Sequence, residues 1–504
     1  MSAVSTLSHE LITIAFFVVV GWVALWPARN RLGVLAYHLA ALPTGLMAAP
    51  LALAVSSTSG RPLDALSATA GALILAAGLW ALQRAVLPRA AAPERVRPLS
   101  FLVAAGVMAG FGAIVGLLGF TATNYDSIAS YWPLGVLLSR KGAFTITIAA
   151  SRSPLIPSMN AIHVMFGSNW AYVIYPMLAV TFALWVAMTL WEGPLSGSGW
   201  DRRGRLIVAG GTVAFFVLEP SFVFNALFVH SNMISGLCLV MSLSSIWMAV
   251  RPDNDDVETA FLVLAGIFAA GLALARPDGL AYVFVPVAVA ISALTVSKVR
   301  WRNVVAFFTP LLVIVLGVFA AGYLKLGMWK SSKLNGRTAL AILVVLALSS
   351  AGPWLVERAQ HLVPVRVSGE GFLGVLVPVA AVLVVAVFAL KWGSAKLALE
   401  NAGINLFLGA GGYSYLWYAV VVILVLSVLT GDALRNHTWT RWPFLGIMLF
   451  FIIAALVHGT SHEGRIGAGD SFNRVAFEIV PVVVWFAAAT VARILSPVAD
   501  THSA

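Results

Sequence analysis

Apolar residues come in long blocks along almost the whole chain, with polar residues confined to short stretches between them. A helix that crosses the hydrocarbon core of a bilayer needs about 20 consecutive apolar residues, in a range of roughly 17–25. By that criterion the pattern predicts about fifteen membrane helices. They are centred near Val19, Gly45, Leu73, Phe111, Val180, Phe216, Val240, Gly266, Val287, Val313, Val345, Ala380, Val421, Phe450 and Val484. The block near Val345 is short. In lipid every backbone polar group must be satisfied internally, so blocks of this length are helices. The expected fold class is all-α: a polytopic transmembrane helical bundle of about 13–15 spans. A long first extracytoplasmic loop with amphipathic helices is expected within it.

Composition agrees. Of 504 residues, 60% are hydrophobic and 10% charged, whereas a soluble domain is about one-quarter charged. Too few charges remain to cover a soluble surface. The formal net charge is +11, from 31 Lys+Arg and 20 Asp+Glu. In a membrane protein this excess reads as basic cytoplasmic loops. No aromatic-basic motif accompanies it, so nucleic acid is not an expected partner; membrane lipids are. The single cysteine, Cys238, lies inside an apolar block. It excludes an intrachain disulfide and a cysteine-based metal site. The first block, Leu11 to Trp26, has no basic segment before it and is followed by Arg29 and Arg31. It reads as a retained membrane helix rather than a cleaved signal.

Placing the N-terminus outside and alternating gathers 18 of the 31 basic residues on the inside. They include Arg29/Arg31, Arg84/Arg89/Arg95/Arg97, Arg202/Arg203/Arg205, Lys298/Arg300/Arg302 and Arg493. Basic residues in short loops orient a membrane protein, so the C-terminus is expected in the cytoplasm of a cell (plasma or inner) membrane. Two segments depart from the pattern. Thr121 to Trp170 is a long outer loop, and loops of that length usually carry function. Lys325 to Arg337 puts Lys325, Lys330, Lys333 and Arg337 outside; either the alternation slips there or these charges bind an anion. The Arg/Pro/Ala-rich linker Leu87 to Pro98 divides the chain. Residues 1–90 read as a three-span membrane appendage and 99–495 as the body.

Ionisable groups near a membrane are costly and call for a partner or a purpose. In this topology Asp126, Glu219, His230, Arg276, Asp278, His458, His462, Arg465, Asp470, Arg474 and Glu478 gather on the outer side. Asp126 lies just past a helix end and is flanked by Tyr125 and Tyr131-Trp132. A carboxylate there can take a proton from a hydroxyl nucleophile, although spacing alone reads it as a loop aspartate capping the next helix. His458 and His462 stand at i, i+4 beside Glu463, a spacing that would take a divalent metal. The Gly and Ser around them weaken the helix this requires, and no metal site is assigned. Glu219, before Pro220 inside an apolar block, reads as structural.

Six stretches bear a family resemblance. Asn124-Tyr125-Asp126, Tyr131-Trp132-Pro133-Leu134, Ser153-Pro154 and His163-Val164-Met165-Phe166-Gly167 together resemble the first outer loop of GT-C glycosyltransferases. These are polytopic enzymes that take a sugar from a polyprenyl-phosphate carrier. Ala275-Arg276-Pro277-Asp278-Gly279-Leu280 is similar to that family's Arg-Pro-Glu/Asp-Gly motif at a helix end. Gly469-Asp470-Ser471-Phe472-Asn473-Arg474, with Pro481 after it, is similar to its Gly-Ser-x-x-Arg segment. The resemblance covers about residues 99–495. The family usually begins at the helix directly before the acidic loop, whereas here three further spans precede that helix, and Asp126 is followed by Ser127 where many members carry a second acid.

The resemblance implies an inverting sugar transfer from a polyprenyl-phosphate donor to an extracytoplasmic glycan or lipid-linked acceptor, within cell-envelope biosynthesis. Asp126 would be the general base. Arg474 and Arg276 would hold the donor phosphate, because a guanidinium forks onto phosphate oxygens. Lys325, Lys330 and Arg337 would assist them. Asn124, Tyr125, His230, Asp278 and Asp470 would contact substrate, although His230 also reads as an ordinary interfacial histidine. No cofactor is assigned, and the chemistry is compatible with a divalent metal at the leaving phosphate. Two other functions fit the same composition. A lipid-linked-sugar flippase would line a path through the bilayer midplane with polar groups, and Glu219 is the main polar group there. A glycan polymerase or ligase would carry its large loop later in the chain.

Overall fold

The computed structural model describes residues 3–87, 131–141, 153–171, 173–193, 195, 200–226, 231–250, 258–276, 279–296, 299–326, 336–362, 369–430, 437–455 and 471–495. Within them the chain is helical, with no strand. Among the described residues seven helices are long and apolar enough to cross a membrane, or ten if each of three bent pairs is one span. Several apolar blocks fold as shorter helices, such as Thr259–Ala275 and Leu416–Ser427. The block near Phe216 breaks in the middle: Arg202–Phe216 and Pro220–Ala226 meet at 66°. The block near Phe111 lies outside the described residues.

The first quarter of the chain supplies α1 (Ala3–Leu25), α2 (Val34–Leu46), α3 (Ala48–Ser59) and α4 (Ala65–Val86). Asp64 caps α4, accepting from the Ser67 backbone N–H at 2.8 Å and the Ser67 hydroxyl at 3.0 Å. The backbone hydrogen bond holds its carboxyl below the usual aspartate value. Then follow α5 (Trp132–Lys141), α6 (Leu155–Met165), α7 (Ile174–Glu192), α8 (Arg202–Leu218), α9 (Pro220–Ala226), α10 (Ser231–Ala249) and α11 (Thr259–Ala275). The remainder comprises α12 (Phe284–Val296), α13 (Trp301–Leu326), α14 (Gly336–Ser349), α15 (Gly352–Leu362), α16 (Gly369–Leu390), α17 (Trp392–Leu406), α18 (Leu416–Leu429), α19 (His437–Ile453) and α20 (Ser471–Ile494).

The two helices described between Tyr131 and Trp170 differ in character. On α5, Gly135 and Leu138 face inward while Leu137 and Arg140 are exposed, an amphipathic pattern. By contrast, α6 is buried on every side from Leu155 to His163, because it packs against α1, α3, α5 and α11. Burial pushes the His163 imidazole down to about 4. The ring is therefore neutral, and its Nδ1 donates to the Met159 carbonyl at 3.0 Å.

The N-terminal helices share one hydrophobic core with the rest of the chain. Glu10 of α1, fully buried, accepts from the Val173 backbone N–H at 2.7 Å. At the other end of α1, Arg31 stands 3.6 Å from Glu258 at the start of α11. A set of such ties defines one end of the bundle. Gln83 donates to the Ala24 carbonyl, Glu258 N–H to Ala249, Thr259 to Asn303, Val299 N–H to Glu357, and Trp200 to Ala492. Arg29, Arg31, Arg84, Arg202, Arg203, Arg205, Arg300, Arg302, Arg358 and Arg493 all belong to this end. The opposite end, tied by Glu10 to Val173, Leu63 to Leu138 and Tyr131 to Ser231, carries among the described residues only Arg61, Arg140 and Arg276 with described side chains.

Candidate functional site

Three distant segments meet at the arginine-poor end. α11 stops at Ala275, and Arg276 continues in extended conformation, with φ −144° and ψ 156°. Gly279 lies so close to α11 that a Cβ on it would stand 2.1 Å from the Leu272 carbonyl oxygen. That contact is the physical reason for a glycine at the end of the Arg-Pro-Asp-Gly stretch. Arg276 Nη1 lies 2.5 Å from Glu478 Oε1 on α20 and donates to Asn232 Oδ1 on α10 at 2.6 Å. One residue before Asn232, the Ser231 hydroxyl lies 3.1 Å from the hydroxyl of Tyr131, the residue leading into α5. Asn160 of α6 donates to the Tyr131 carbonyl at 3.2 Å.

Burial makes this cluster electrostatically strong. The Glu478 side chain is 1% exposed and that of Arg276 15%. Two charges withdrawn from water this far require each other, since breaking a buried pair strands an uncompensated charge. Glu478 and Asn232 both hold the guanidinium through Nη1. Trp132 and Trp170 stack beside the cluster at 5.2 Å between ring centroids.

Of the residues singled out in the sequence, Arg276 sits at this centre. Arg474 lies in the first turn of α20, Lys325 in the last turn of α13 and Arg337 in the first turn of α14. α13 runs parallel to α11, its start tied to the start of α11 through Asn303 and Thr259. Lys325 therefore stands at the same end of the bundle as Arg276. Asn124, Tyr125, Asp126, His230, Asp278, Lys330 and Asp470 lie outside the described residues, as do His458 and His462. Among the described residues no group of three His, Cys, Asp or Glu side chains is arranged to hold a metal.

Asn232 had no signal of its own in the sequence. Glu478 was one ionisable residue among several, and only the crossing of α20 with α10 and α11 gives it a partner. Glu219 is engaged structurally. It accepts from Ser221 at 3.1 Å and from the Ser414 N–H and hydroxyl at 3.2 and 2.8 Å. It thereby ties the α8–α9 break to the turn before α18. Comparison with protein-family models, curated proteins and solved structures returns no match for this chain.

Proposed function

We propose that the protein is a membrane glycosyltransferase that moves a sugar from a polyprenyl-phosphate donor to an extracytoplasmic glycan or lipid-linked acceptor. One observation carries this reading. Tyr131 and Arg276 come from two of the stretches that resemble the GT-C family, Glu478 lies four residues after a third, and they lie at one end of the bundle, joined through Ser231 and Asn232. Asp126, five residues before Tyr131, would then be the base. The acceptor oxygen attacks the anomeric carbon and its proton passes to Asp126. The bond from that carbon to the phosphate oxygen breaks, and its electron pair leaves with the phosphate. Arg276 and Arg474 take up the phosphate charge, with Lys325, Lys330 and Arg337 on the donor's approach. Displacement from the face opposite the phosphate inverts the anomeric centre. The arginine-rich end faces the cytoplasm by the positive-inside rule. This puts the N-terminus and the site outside.

The test is transfer from a radiolabelled polyprenyl-phosphate sugar in purified membranes. Asp126→Asn is expected to fold and to lose transfer by roughly 10²–10⁴-fold, the usual contribution of a general base. Undiminished transfer by this variant would remove Asp126 from the mechanism. Arg474→Ala is expected to weaken donor binding more than acceptor binding.

A further inference from the structure

A groove of about 360 Å³ runs between α8, α18 and α20, within the range of about 300–1,000 Å³ typical of ligand sites. Ile207, Gly211 and Phe215 line it from α8, Val420 from α18, and Ala488 and Val491 from α20. Its one polar lining side chain, Thr212, spends its hydroxyl on the Val208 carbonyl at 2.8 Å. The groove opens sideways: Ile207 is 73% exposed. A Cβ at Gly211 would meet nothing within 4 Å. In a membrane helix such a surface faces lipid chains rather than water.

The charge at its end decides the occupant. Residues four apart on a helix share a face, so Arg203, Ile207, Gly211 and Phe215 form one stripe on α8. Arg203 stands about 6 Å along the axis from Ile207. It is exposed and makes no ion pair among the described residues. Trp200 donates to the Ala492 carbonyl, bringing Arg493 of α20 to the same end. Asp201 is committed to capping α8 through the Gly204 N–H at 2.7 Å. We infer that the groove holds an acyl chain of an anionic diacyl phospholipid whose phosphate rests on Arg203. This end is the arginine-rich one, opposite the Arg276–Glu478 cluster. The occupant is therefore a resident lipid of that leaflet, whose anionic headgroups basic residues attract, and not the sugar donor. The inference does not depend on sugar transfer.

Native mass spectrometry of the intact protein, taken from nanodiscs of stated composition, tests it. With palmitoyl-oleoyl phosphatidylglycerol the protein is expected to retain one lipid, and with phosphatidylcholine of the same chains markedly less. Arg203→Gln should lower phosphatidylglycerol retention by about fivefold, the effect of one arginine near an anionic headgroup. Phosphatidylcholine retention should not change. Gly211→Phe places a ring in the groove, and excluding two buried methylenes should lower retention by roughly tenfold. If that variant fails to fold, Ala488→Leu narrows the groove from α20 and should act in the same direction. Equal retention of the two lipids by the unmodified protein would overturn the proposal. So would unchanged retention in a folded groove-filling variant. Displacement of phosphatidylglycerol by an equal concentration of polyprenyl phosphate would assign the groove to the carrier instead.

Discussion

Arg276 illustrates how a single side chain acquires meaning from its surroundings. An arginine after an apolar helix is unremarkable as a residue type. With Glu478 at 2.5 Å and Asn232 at 2.6 Å, it becomes half of a buried ion pair. Such a pair adds little net stability compared with apolar replacements, but removing one member is costly. Glu478→Ala is therefore expected to destabilise the protein by about 3 kcal/mol, near the low end for a buried pair because Arg276 keeps some exposure. The double variant Arg276→Met/Glu478→Leu should recover most of the loss. Thermal unfolding in detergent measures both; equal losses in the two variants would mean that the charges are not coupled.

At the scale of elements, the tightest fit is between α1 and α2. A Cβ at Gly45 would lie 1.8 Å from the Phe17 carbonyl oxygen, and one at Gly21 1.8 Å from that of Ala41. The two backbones touch because neither position carries a side chain, the usual way membrane helices approach without a hydrophobic drive between them. Gly45→Leu is expected to separate α1 from α2 and disturb the Glu10 to Val173 contact at the end of α1. The measurable result is a lower yield of monodisperse protein and a lower unfolding temperature than for Ala76→Leu on α4. Equal behaviour of the two variants would show that the close approach is dispensable. The helix pattern also marks where block length misleads. Continuous apolarity reads as one span, yet α8 and α9 turn through 66° within the block near Phe216.

The whole molecule is polarised. Arginines crowd one end of the bundle, and the Arg276–Glu478 cluster occupies the other. Single-cysteine variants report which end faces out, since the native Cys238 is buried. On a Cys238→Ser background, Arg140→Cys should react with a membrane-impermeant maleimide in intact cells. Arg203→Cys should react only after lysis. The reverse pattern would invert the orientation and move the proposed site to the cytoplasm. Helices α1–α4 pack into the common core, tied by Glu10 to Val173 and Arg31 to Glu258.

The helical, membrane-spanning character of the chain was determined by the sequence alone, because it rests on local quantities. Block length, the scarcity of charge and the need to satisfy backbone groups in lipid require no knowledge of neighbours. The grouping of arginines at one end was legible for the same reason: alternation along the chain carries it. That Arg276 pairs with a buried carboxylate was not legible. Its carboxylate partner lies about two hundred residues further on, and no local spacing encodes a contact made only when α10, α11 and α20 cross. Glu219 was readable as structural, but its attachment to Ser414 required the fold. The lipid-facing groove is likewise a property of three helices together. Its walls are ordinary apolar residues, and only their packing leaves the space between them.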